Sequence, residues 1–81
     1  MEILKINLNN NVYRIFFVEI NGSTIGIAEE KLEKYINQCI ENGHYEEVCD
    51  IDSKYLYYVP QEIADTENEN EIIESIKDVL I

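Results

Sequence analysis

Tryptophan is absent from this chain of 81 residues, and phenylalanine is limited to Phe16 and Phe17. Its core must therefore be assembled from aliphatic side chains and tyrosine. Only three glycines are present, and neither G-x-x-x-x-G-K-[ST] nor G-x-G-x-x-G occurs. Loops that cradle phosphates need such glycines, so the common nucleotide-binding designs are excluded. Lysine and arginine number six, too few for the clusters that phosphate contact demands, and direct binding of nucleic acid is not expected. The longest purely apolar run, Ile15-Phe16-Phe17-Val18, is far too short to cross a membrane. The opening Met1-Glu2-Ile3-Leu4-Lys5 lacks the basic region and long apolar stretch of a secretion signal. A cytoplasmic protein with Cys39 and Cys49 reduced is the expectation.

What the chain has instead is acid. Seventeen Asp and Glu give a net charge of −11, and the distribution is uneven. Residues 1–40 carry four basic against five acidic side chains, whereas residues 41–81 carry two against twelve. A charge concentrated in this way attracts basic partners and repels nucleic acid and anionic membranes. With 46 % hydrophobic residues, the acidity does not signal disorder. A single domain spanning 1–81 is expected, with little room for a buried catalytic cavity.

Alternation of Leu4, Ile6 and Leu8 against Ile3, Lys5 and Asn7 reads as a strand, closed by a turn at Asn9-Asn10-Asn11. Val12 to Ile20 is the strongest strand, apolar on both faces except at Arg14 and Glu19, and belongs centrally in a sheet. Asn21-Gly22 is a hairpin signal, followed by a short strand over Ser23 to Ile27. Leu32, Tyr35, Ile36, Cys39 and Ile40 form the apolar stripe of a helix beginning near Ala28 and stopped at Gly43. Glu29 and Glu30 sit in its first turn, where they favour the dipole. Tyr45 to Ile51 and Lys54 to Val59 read as two further strands, the second ended by Pro60. Residues 61–65 read as a connector. Thr66 with Glu69 forms a capping box for a last helix whose buried side carries Ile72, Ile73, Ile76, Val79 and Leu80. The order β-β-β-α-β-β-α predicts an α+β domain, an antiparallel sheet of about five strands with two helices on one face.

Opposite that isoleucine stripe, Glu67, Glu71, Glu74 and Asp78 recur at i, i+4, i+7 and i+11, thickened by Glu62, Asp65 and Glu69. Their spacing of about 5–6 Å approximates successive phosphates on a nucleic-acid strand. A solvated helix face is the plainer account. However, like charges at such spacing destabilise a helix by a few tenths of a kcal/mol each, and only Lys77 interrupts the row, so a binding role stands beside it. Glu46, Glu47, Asp50 and Asp52 form a second cluster, which extends the patch or protects an edge strand from mispairing. Tyr58, pointing away from Tyr55 and Tyr57, is the candidate interface anchor.

Cys39, His44 and Cys49 lack a C-x-x-C and fall on separate elements, so no metal or cofactor is expected. Nothing near them supplies a pocket, an orienting group or an oxyanion site, and the chain is not expected to be an enzyme. In size, in the acidity of Glu41 to Asp78 and in its want of catalytic residues, it resembles the phage-encoded DNA-mimic inhibitors of host defence, of the anti-CRISPR and anti-restriction types. That resemblance implies a small inhibitor whose acidic face enters a basic groove of a nucleic-acid-handling protein. An immunity protein or antitoxin that neutralises a basic nuclease would rest on the same physics. A homodimeric or assembly domain, acidic for solubility alone, is the third reading.

Overall fold

At Asn9-Asn10 and at Asn21-Gly22 both turn residues take positive φ, 52° and 66° in the first turn and 53° and 82° in the second. That geometry suits the right-handed twist of the strands it joins. The computed structural model, which describes residues 1–48 (without the Glu47 side chain), 51 and 57–78, accordingly opens as two antiparallel hairpins. They comprise β1 (Glu2–Leu8), β2 (Asn11–Ile20) and β3 (Ser23–Glu29). Leu8 lies opposite Asn11 and Ile20 opposite Ser23, so both loops are two residues long.

Helix α1 (Glu30–Glu41) leads to a 3-10 turn over Tyr45–Glu47. Strand β4 (Tyr57–Val59) follows, then α2 (Gln61–Thr66) and α3 (Glu69–Ile76). The sheet runs β1-β2-β3-β4, and β4 is parallel to β3, with Ile27 opposite Tyr57 and Glu29 opposite Val59. The α+β class holds. The sheet, however, is mixed and has four strands among the described residues, instead of five antiparallel ones.

The helices do not share one face. Successive strand residues point to opposite sides, and both sides of β2 are apolar. Tyr13 and Ile15 pack with Ala28 against Leu32, Ile36 and Cys39 of α1. Phe16 and Val18 pack with Ile27 and Val59 against Ala64, Ile72 and Ile76 of α2 and α3. The expectation of two helices on one side is therefore corrected. A strand apolar on both faces needs cover on both, as parallel-sheet strands usually have. Phe16, Ile27, Leu32 and Ile72 are fully buried, each stabilising the fold by about 1.5–3 kcal/mol.

Local departures have local causes. β3 continues through Ala28 and Glu29 because both pair with β4, so α1 begins at Glu30. The 3-10 turn replaces the strand expected from Tyr45, and it buries Val48 against the α1 side. Residues 61–66 are helical instead of a connector, their first turn following Pro60. Glu67 then adopts a left-handed conformation with φ of 51°, which ends α2 and delays α3. Thr66 consequently does not cap α3. Its hydroxyl donates to the Ile63 carbonyl at 2.7 Å, and Asn68 caps the helix by accepting from the Glu71 amide at 3.2 Å. Tyr55 and the segment Lys54 to Leu56 lie outside the described residues, as do Val79 and Leu80. Among the described residues no helix is long and apolar enough to cross a membrane.

Candidate partner-binding site

Arg14 stands on the same side of β2 as Phe16 and Val18, where a lone cation needs partners. It finds three. Its Nε and Nη2 donate to the two carboxylate oxygens of Glu29 at 3.1 and 3.2 Å. Nη2 also reaches Asp65 at 2.6 Å, and Nη1 reaches Glu67 at 2.8 Å. The guanidinium carbon lies 5.9 Å from the centre of the Phe16 ring. The backbone amide of Arg14 also donates to Glu29, and Gln61 Nε2 donates to Glu29 at 2.7 Å and to Asp65 at 3.1 Å.

Glu29 is wholly buried. Burial pushes its carboxyl up, but the hydrogen bonds from Arg14 and Gln61 outweigh that and hold it below the usual range. Asp65, though exposed, is lowered by the hydrogen bonds from Arg14 and then Gln61. The same pairing, with Glu29 contributing most, raises Arg14 against the opposing effect of burial. A left-handed backbone costs a residue with a Cβ about 1–2 kcal/mol. At Glu67 that conformation carries the side chain back to Arg14 and is held there by the contact.

This network sits where β3 and β4 end in parallel and the chain leaves for opposite faces, a position at which open α/β sheets commonly bind anions. Here the chain fills it. The Lys31 amide of α1 donates to Gln61 Oε1 at 3.1 Å, and the Gln61 amide of α2 donates to Glu30 Oε1 at 3.3 Å. Lys31 Nζ stands 3.6 Å from Glu29. The helix starts are satisfied by the protein's own side chains, in a setting hostile to phosphate.

The predicted acidic row is only partly assembled. Glu67 lies before α3 and is committed to Arg14, so it leaves the row. Glu71 and Glu74 are exposed on α3, and Asp78 follows two residues beyond the helix end, also exposed. Glu74 meets Lys77 at 2.9 Å, and Glu69 lies 3.3 Å from the amino group of Met1. No ion pair engages Glu62 or Glu71 among the described residues. Beside these acids an open groove of about 550 Å³ runs between α2 and α3, lined by Ile63, Thr66, Asn70, Glu71, Glu74 and Ser75.

Of the second predicted cluster, only the Glu46 side chain is among the described residues. Glu46 is exposed in the 3-10 turn that packs on the α1 side of the sheet, whereas α3 covers the other side. Asp50, Asp52 and the Glu47 side chain lie outside the described residues. Tyr58, the candidate anchor, is half-buried against the α1-side core. Among the described residues the exposed tyrosine is Tyr45, at 59 %. Cys39 is buried and His44 exposed, Cys49 lies outside the described residues, and among those described no group of metal-binding side chains gathers.

Arg14, Glu29 and Asp65 each stood out in the sequence for other reasons, but not as one network, and Gln61 did not stand out. The signal was available: one arginine inside a strand apolar on both faces must find an anion. No family model, curated protein or solved structure matches the chain.

Proposed function

We propose that the protein is a non-catalytic binder that sets the outer face of α2 and α3 against a basic groove of a nucleic-acid-handling protein, keeping nucleic acid out of it. Glu71 carries this reading: an exposed carboxylate that no ion pair engages among the described residues, one turn from Glu74 and lining the same open groove. Glu71 and Glu74 stand about 5 Å apart along the helix axis, near the repeat of a phosphate backbone. The buried Glu29 is saturated with donors and held ionised, which suits it to structure and not to proton transfer. No cofactor is invoked. The finer form of the proposal is an inhibitor of the phage anti-CRISPR or anti-restriction type. An immunity protein against a basic nuclease would use the same surface.

The test is affinity capture from host lysate by the wild type and by Glu71→Lys/Glu74→Lys, at low and high salt, followed by competition on whatever partner is recovered. A nucleic-acid-binding protein should be captured by the wild type alone and released by salt, because exposed charges are screened. Added wild type should then displace nucleic acid from it. Equal capture by both variants refutes the proposal.

A further inference from the structure

Charge alone would make the outer face of α2 and α3 a smooth anionic strip, but the strip has a furrow in it. Ile63 stands at the α2 side, half-buried and packed against Ile72 and its neighbours. Thr66 lines it from the same helix, its hydroxyl already engaged by the Ile63 carbonyl and the Asn68 amide. Asn70 and Ser75 come from α3, and Glu71 and Glu74 supply the carboxylates. An apolar floor beside two acids is complementary to an apolar side chain carried between cations. It is a poor match for a second copy of this chain, whose own net charge is −11, and for a phosphate.

We infer that this groove takes one leucine- or methionine-sized side chain from a lysine- or arginine-rich segment of the partner, the flanking cations pairing with Glu71 and Glu74. The inference rests on the proposed function and adds its specificity determinant. A bare row of acids distinguishes basic from non-basic partners and little else, because exposed ion pairs are individually weak. A seated apolar side chain ranks one basic segment above another. The groove is thus the contact that sets dissociation rate, while the acids set the rate of encounter.

Two labelled synthetic peptides test this on the full chain by fluorescence anisotropy. One is Lys-Lys-Ser-Lys-Lys, and the other replaces the central serine with leucine. The leucine peptide should bind roughly five- to twenty-fold more tightly, the range expected for partial burial of one apolar side chain in an open groove. Asn70→Phe, at an exposed position with no core role, fills the groove without changing charge. It should erase the advantage of leucine, so that the two peptides bind alike. Glu71→Gln/Glu74→Gln should weaken both peptides together. Equal binding of the two peptides to the wild type overturns the groove and leaves the acidic-face reading standing. If neither peptide binds at low salt, both readings fall.

Discussion

Asp65 and Glu67 at the end of α2, and Glu71 and Glu74 on α3, lie within ten residues of chain, yet they reach different ends. The first two converge with Glu29 on Arg14 and hold the inner strands β2 and β3 to a helix. The second two face solvent beside a groove, where Lys77 pairs with Glu74 and no ion pair engages Glu71 among the described residues. What separates them is one left-handed residue, since the turn at Glu67 points one pair back at β2 and launches the other outward. Identical residue types at near-helical spacing were thus sorted by backbone geometry into a clasp and a display. A net charge cannot reveal that division.

The clasp should be the more costly to disturb. Arg14→Leu leaves Glu29 ionised, buried and without its main partner, a situation that destabilises proteins by about 3–5 kcal/mol. Urea unfolding of the variant should show that loss. The double variant Arg14→Leu/Glu29→Leu should recover much of it, because the uncompensated charge goes with its partner and two apolar residues then face Phe16 and Val59. If the single substitution is nearly silent, the network is an ornament of the fold and the contrast with α3 collapses.

Acid provides a milder perturbation. The Glu29 carboxyl titrates lower in the folded chain than in the unfolded one, as does Asp65. Their contribution is therefore fully present above the unfolded value, near 4 to 4.5 for these residue types (about 3.9 for Asp and 4.3 for Glu), and is lost as pH falls through the folded one. Stability followed by urea titration should decline through this window more steeply in the wild type than in Glu29→Gln. Equal slopes would mean that Glu29 does not carry the acid response.

The smallest effect is expected on the display. Glu71→Gln/Glu74→Gln should change stability by no more than about 0.5 kcal/mol, in either direction. Any gain would reflect relief of repulsion between neighbouring acids. A thermal melt decides it. A large loss would make these residues part of the structure and undo the proposed division of labour.

Much of the front half of the fold was legible because its signals are local. Asn9-Asn10 and Asn21-Gly22 dictate their turns by positive φ, and the Leu32-Ile36-Cys39 stripe marks the buried side of α1 without reference to anything distant. The parallel pairing of β3 with β4 has no such mark, since it joins residues about thirty positions apart in the chain. Glu29 misleads for the same reason. Beside Glu30 it resembles an ordinary first-turn acid, and only the contact with Arg14 across the sheet makes it a buried anion. The two-sided burial of β2 was visible in Tyr13, Ile15 and Phe17 against Phe16, Val18 and Ile20. Its meaning, cover from both sides, became clear only with the helices in place. At the candidate site, Glu71 and Glu74 were found by spacing, whereas Glu67 was misassigned because spacing cannot register a left-handed backbone.

The exchange of hydrogen bonds between Glu30 and Gln61 has a consequence for how the molecule comes apart. Each helix start gives one amide to a side chain of the other, one on either side of the sheet, so fraying of either start takes a bond from both. The two layers are thereby coupled at the end of the sheet by a glutamine and a glutamate, in addition to the apolar core.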